Sequence, residues 1–325
     1  MKNSPVLSTI VLCLMMSWLM ADEPTPQFPP GQGGFWMAGP DGLIFMGFAR
    51  QLARSDDAGL TWQIVSQLPC QFNDFRLFSD GSIVVTGSRK EQRTGWTRSR
   101  DEGKTWSEFT PIPIEWDFRT RNYGPIYEMS DGRWAYAPYA ETNKHDRTNS
   151  LILWSDDQGT TWSQPIAFPE PIDGNQGKTE VALLEYQPGK LIAALRTDDT
   201  DPGGFDGGYF SLSDDGYHWS VPKPIGDRIR QPHFYHIGNV FCLTYRQYAP
   251  WDGTGYATVR FSENGTSWSQ PFRIRRSVQD GPNLVLSHGK VLAFNTLYPQ
   301  NDVRTRQEIA IPNPSEWFLS PIRKP

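Results

Sequence analysis

The sequence predicts an all-β chain folded as a six-bladed β-propeller whose blades are four-stranded and antiparallel. Three observations carry this. The composition is rich in turn formers and indoles, with 29 Gly, 27 Pro and 13 Trp in 325 residues, and shows few long helical patterns. A motif of the form Ser-x-Asp-x-Gly-x-Thr-Trp recurs along the chain. A turn containing Gly precedes a short apolar run six times.

The Gly turns come first, because they count the units. They are Gly42 before "LIFMGF", Gly81 before "SIVV", Gly132 before "RWAYA", Gly189 before "KLIAAL", Gly238 before "NVFCLTY" and Gly289 before "KVLAF". Successive turns are 39, 51, 57, 49 and 51 residues apart, giving six units of roughly fifty residues. The Ser/Asp/Trp motif is complete at Ser55–Trp62, Ser99–Trp106 and Ser155–Trp162. A form one residue shorter stands at "SDDGYHW" (213–219) and "SENGTSW" (262–268). Each unit therefore reads as four strands. The first ends at the Gly turn, the second is the apolar run, the third runs into the motif, and the fourth begins at its Trp. The motif is a turn device. Its Asp accepts turn N–H groups, its Gly supplies a positive φ, and its Trp packs between sheets.

The remaining features bound the setting. Lys2 followed by the mostly apolar stretch Val6 to Met20 reads as an export signal, too short for a membrane span and cleaved near Ala21. The expected organisation is a signal over residues 1–21, a linker over 22–33 and the propeller over 34–325. The mature chain is then secreted or periplasmic, without a membrane span, and is expected to be a monomer. A net charge of −5 gives no electrostatic case for nucleic acid. Cys70 and Cys242, the cysteines beyond the signal, do not make a disulfide framework. "KHDR" at 144–147 is too isolated to support a metal site, so no metal and no cofactor is expected. His233 and His236 read as solvated or hydrogen-bonded histidines rather than ligands.

Strand geometry then locates the chemistry. Gly turns and Asp motifs share one face of the ring. The start of strand one and the end of strand two meet at the other, around the central mouth. Nine residues before their Gly turns stand Tyr123, Glu180 and Asp280. Where strand two ends stand Arg50, Arg89, Arg196 and Arg246. Guanidinium forks bind a carboxylate through two parallel bonds, and carboxyl groups protonate or stabilise a breaking glycosidic bond. The mouth thus suits a glycan or oligosaccharide that carries a carboxylate.

The repeated motif resembles the Asp boxes of the sialidase (neuraminidase) superfamily, from about Gly34 to Trp317. The resemblance implies a secreted exo-glycosidase acting on terminal acidic sugars. Such enzymes use three arginines on the sugar carboxylate, an Asp as acid, and a Tyr nucleophile assisted by a Glu. "TEVALLEYQPGKLIAALR" is similar to the family segment that supplies the Glu and a clamp Arg, which maps onto Glu180 and Arg196. "QPHFYHIGNVFCLTYR" points in the same way to Arg246. The family's Arg-Ile-Pro signature is replaced by "CQFNDFRLFSDG", so Arg89 or Arg121 is the candidate for the third arginine. The late Tyr is replaced by Asp280 in "QDGPNLVLSHGK", and Tyr123 holds a comparable position in another blade. Asp198, Asp199, Asp201 and Glu141 are the loop candidates for the acid. Two other readings stand beside the sialidase. One is a non-catalytic propeller that binds glycans or proteins. The other is a lyase or hydrolase of another acidic sugar on the same fold.

Overall fold

The computed structural model describes residues 27–28, 35–90, 94–114, 119–121, 123–141, 149–170, 178–197, 207–248, 255–276, 283–296 and 304–313. The expected signal, most of the expected linker, the loop candidates Asp198, Asp199 and Asp201, and Asp280 lie outside these residues.

Six sheets follow one another along the chain. Blade 1 is β1 (Phe35–Ala38), β2 (Ile44–Phe48), β3 (Gln51–Ser55) and β4 (Gln63–Gln67). Blade 2 is β5 (Gln71–Leu77), β6 (Ile83–Ser88), β7 (Gly95–Ser99) and β8 (Thr110–Pro111). In blade 3 the inner strand is split into β9 (Arg119–Arg121) and β10 (Ile126–Glu128), and the next into β11 (Trp134–Tyr136) and β12 (Tyr139–Glu141). β13 (Asn149–Ser155) and β14 (Ile166–Ala167) complete it. Blade 4 is β15 (Lys178–Gln187), β16 (Lys190–Thr197), β17 (Gly208–Ser213) and β18 (Lys223–Pro224). Blade 5 is β19 (Ile229–Ile237), β20 (Val240–Tyr248), β21 (Gly255–Ser262) and β22 (Phe272–Arg276). Blade 6 contributes β23 (Asn283–Ser287), β24 (Lys290–Thr296) and β25 (Arg304–Ile309). Every strand pair is antiparallel. The fourth strands are shorter than the sequence suggests. In blades 2 to 5 they start four residues after the motif's Trp, whereas β4 of blade 1 starts directly after Trp62.

Strand alternation explains the nearly continuous apolar runs. Along β15 and β16, Val181, Leu183, Leu191, Ala193 and Leu195 point into the interface with blade 3. Their neighbours Ala182, Ile192 and Ala194 point into the interface with blade 5. An inner strand buried on both faces needs apolar residues at both parities. Six such clusters each join two neighbouring blades, and the last joins blade 6 to blade 1, so the core is a closed ring.

The Asp boxes are the hinges of this packing. In the third box the Ser155 hydroxyl bonds Asp157 and accepts the Gly159 N–H, while Asp157 accepts the N–H and hydroxyl of Thr161 at 2.8 and 2.7 Å. Gly159 has φ +86, and a Cβ there would lie 2.8 Å from Trp134 and 2.9 Å from Trp96 of the preceding blade. Only Gly meets both demands. Cys70 and Cys242 are free and buried, and burial pushes their thiols up to about 11 and about 12. Among the described residues the one helical element is a three-residue turn, Pro40–Gly42, and no helix is long and apolar enough to cross a membrane.

Candidate active site

The inner strands lose their regular ladder where they open onto the mouth. β5 shifts register between Phe72 and Asp74, which leaves Asn73 as an extra residue. On β15, Thr179 and Glu180 together oppose Arg196. On β19, Gln231 and Pro232 together oppose Tyr245. In blade 3 the break between β9 and β10 falls at Tyr123 and Gly124. A bulge bends its strand and re-aims a side chain, so blades 2, 4 and 5 each set an extra residue near the mouth, and blade 3 breaks its inner strand there.

The bulge on β15 sets Glu180 against Arg196, with Oε1 2.8 Å from Nη1. Both side chains are largely buried, at 9% and 14% exposure. The other carboxylate oxygen accepts the Gln231 N–H at 2.7 Å, across the seam to blade 5. Gln231 is held at φ +49, a conformation costly for a residue with a Cβ, and this strain is what aims its N–H at Glu180.

From Gln231 the network continues. Its carbonyl oxygen lies 3.2 Å from His233 Nδ1, and His233 Nε2 lies 3.2 Å from Asp74 Oδ2. Asp74 belongs to blade 2 and His233 to blade 5, opposite members of a ring of six, so this contact spans the axis. Arg76 spans it as well, donating to the Phe234 carbonyl at 3.0 Å. Tyr123 of blade 3 donates to the Pro232 carbonyl at 3.4 Å. Burial, then the carboxylates of Glu180 and Asp74, push its hydroxyl well above the usual phenol range, so it is neutral. The hub of the mouth is thus the bulge of blade 5, which reaches blades 2, 3 and 4. Near it, Thr179 Oγ1 and Gln231 Oε1 are buried without a hydrogen-bond partner among the described residues.

Residues 73–233 match the BNR repeat-like domain. A sialidase of Bacteroides fragilis (strain YCH46) is 27% identical over 188 residues. That match covers 45% of this chain and spans 33% of the sialidase's length. The chain is a sialidase-like BNR-repeat propeller.

Solved structures agree on the fold of this propeller. A protein of unknown function from Dyadobacter fermentans DSM 18053 superposes with a TM-score of 0.64 at 17% identity, covering 87% of this chain and 95% of that one. An α-L-arabinanase of Penicillium chrysogenum, complexed with arabinobiose, superposes with a TM-score of 0.52 at 16% identity, covering 71% and 79%.

Within the BNR propeller, Glu180, Arg196 and Tyr123 come together in the mouth. Arg246 stands opposite Arg230 in the ladder, beside the blade 5 bulge. Arg89 is placed elsewhere, at the connection between blades 1 and 2. It donates to the Pro69 carbonyl at 2.7 Å and lies 5.0 Å over the Phe109 ring. Arg50 is nearby, donating to the Leu68 carbonyl. Arg121 ends β9 opposite Tyr139, and Glu141 pairs with Arg119 two positions further along the ladder. Asp74, Gln231 and His233 are the mouth residues that counting back from the Gly turns misses. Two signals mark them: an Asp inside the apolar run "FNDFRLF", and a Pro inside "QPHFYHI", where an inner strand tolerates Pro only at a bulge.

Proposed function

We propose that this propeller is a secreted exo-glycosidase that removes terminal acidic sugars from glycans at its central mouth. The observation that carries the reading is the buried Glu180–Arg196 pair, locked to blade 5 through the Gln231 N–H and set beside a neutral Tyr123. In this reading Arg196, oriented by Glu180, and Arg246 hold the sugar carboxylate through charge-assisted bonds. Glu180 takes the phenolic proton as Tyr123 attacks the anomeric carbon, and the neutral phenol requires that transfer to accompany the attack. Asp280 is the second candidate for the nucleophile. The sialidase of B. fragilis supports a glycosidase, and the arabinanase likeness supports the fold as a frame for glycan cleavage.

The test is a fluorogenic panel on purified protein: an α-sialoside, a β-glucuronide and an α-L-arabinofuranoside. Sialoside turnover that disappears in Glu180→Gln, at an unchanged melting temperature, is the expected result. Turnover of the arabinofuranoside alone would keep the mouth and replace the acidic sugar with a neutral one. No turnover of any, with measurable binding of sialic acid, would make it a non-catalytic glycan-binding propeller.

A further inference from the structure

Away from the mouth, a groove of about 700 Å³ opens at the Asp-box end of the strands, between the boxes of blades 2 and 3. The ladder explains why it opens at this seam. In each blade that carries a box, one residue of the third strand packs toward the next blade and pairs with one residue of the fourth. The pairs are Leu52–Ser66, Trp96–Thr110, Ile152–Ile166, Phe210–Lys223 and Val259–Phe272. Blade 2 is the one of these five with an indole at that place. The Trp96 ring packs on Gly159 of the blade 3 box and meets Trp134 edge-on at 5.1 Å. Its Nε1–H is buried without a hydrogen-bond partner. At the preceding seam, Ser66 donates to the Gly103 carbonyl at 2.6 Å and accepts the Trp106 Nε1–H at 2.9 Å, which ties blade 1 to the blade 2 box. Thr110 holds the place of Ser66 one seam on. There the Gly159 carbonyl accepts Trp162 Nε1 instead, and the Thr110 hydroxyl has no partner among the described residues.

We infer that this groove binds a neutral oligosaccharide and anchors the propeller to a glycan by the face opposite the mouth. Trp96 and Trp106 line it with indole surface, which suits the C–H face of a sugar ring. The polar groups around them suit its hydroxyls. Arg98 Nη1 holds Gln158 Oε1 at 3.3 Å, which leaves the amide Nε2 as a donor for a ligand. The Asp156 carboxylate is exposed and, among the described residues, has no hydrogen-bond partner, so it accepts. Arg100 is 68% exposed and spends one Nη on Asp80 at 3.1 Å, which leaves further donors. Thr110 adds a hydroxyl that donates or accepts. A sugar hydroxyl at the floor would also satisfy the buried Trp96 N–H. Arg98 and Arg100 balance Asp156 and Asp157, so the lining favours a neutral ligand over an acidic one. A peptide strand fits less well. The edge strand beside the groove is β8, which has two residues and ends in Pro111, a residue with no N–H to donate. None of Glu180, Arg196 and Tyr123 lines the groove, so binding here does not depend on the activity assigned to the mouth.

The experiment titrates the ¹⁵N-labelled protein with lactose, cellotriose and arabinotriose, and with sialic acid as the acidic control, and follows the indole N–H signals. Trp96→Phe assigns the Trp96 signal by its loss and keeps a ring on the box, as Phe210 does in blade 4. At least one neutral saccharide is expected to shift the Trp96 signal saturably, with a Kd on the order of 1 mM or tighter. The double variant Trp96→Phe/Asp156→Ala, read by calorimetry, is expected to bind that saccharide about tenfold more weakly and to melt like the wild type. A Trp96 signal that no neutral saccharide moves would overturn the proposal. So would undiminished binding in the double variant, or a larger shift of the Trp96 signal with sialic acid than with any neutral saccharide. Should the double variant fail to fold, Asp156→Ala takes its place, since its exposed carboxylate bonds no described residue. A weaker Kd is again expected, and an unchanged one overturns the site. Turnover of the aryl glycosides is expected to be the same in these variants as in the wild type. Loss of binding at the groove and loss of activity at the mouth are therefore read separately, and a protein that cleaves no glycoside still decides this proposal by its binding.

Discussion

Glu180 is buried because Arg196 and the Gln231 N–H compensate its charge. Arg196→Ala would leave one hydrogen bond on a buried carboxylate. Removing one partner of such a pair costs about 3 kcal/mol, and urea unfolding is expected to show a loss of that size. The same variant should weaken binding of sialic acid by about 2 kcal/mol, roughly 30-fold, in a calorimetric titration. Unchanged stability would mean that water reaches Glu180 and the pair is not closed. Single residues were legible in the sequence where they stand nine residues before a Gly turn or at the end of the second strand. Glu180 lies nine residues before its Gly turn and Arg196 seven after it, so counting brings them together. Asp74 and His233 lie seven and five residues before theirs, displaced by bulges that no residue count foresees.

At the scale of the element, the Asp box was the most legible feature, because the hydrogen bonds that shape its turn are local. Asp101 shows why the acid recurs. The Thr105 hydroxyl, then the Thr105 N–H and the Ser99 hydroxyl, hold its carboxyl at about 2, below the ordinary 3.8. A folded-state value below the unfolded one contributes stability that is fully present above the unfolded value and is lost as pH falls through the folded one. Asp101→Asn should therefore lower the Tm at about pH 6, and the gap to the wild type should close by about pH 2. A gap that stays constant across that range would assign the box's contribution to shape alone. Blade 5 carries a natural comparison, since Asn264 makes the turn bonds to the Thr266 and Ser267 N–H groups without a charge. The split inner strand of blade 3 was not legible. It follows from an irregularity at Tyr123 and Gly124 that resembles an ordinary loop in sequence.

For the whole molecule, the count of six Gly turns foretold the ring but not how it closes. Among the described residues blade 1 is built from four consecutive strands, so no ladder crosses from blade 6 to blade 1. Side chains make the seam. Phe294 of blade 6 stacks on Trp36 at 5.5 Å, meets Trp62 edge-on at 6.2 Å, and sits where a Cβ on Gly59 would lie 2.6 Å away. Phe28 covers it at 6.5 Å, and Arg306 donates to the Ala58 carbonyl at 2.7 Å. A propeller whose ring opens at one seam unfolds from that seam. Phe294→Ala should cost about 3–5 kcal/mol, as for any large aromatic lost from a packed core. Phe234→Ala, at the interface of blades 4 and 5, removes an equally buried ring and should cost about the same. The two variants should differ in hydrogen exchange. Phe294→Ala is expected to expose the amides of blades 1 and 6 before the others, since the terminal blades have neighbours on one side only once the seam parts. Equal protection loss in all six blades would show that the ring opens as one cooperative unit, with the seam no weaker than the chain-linked interfaces.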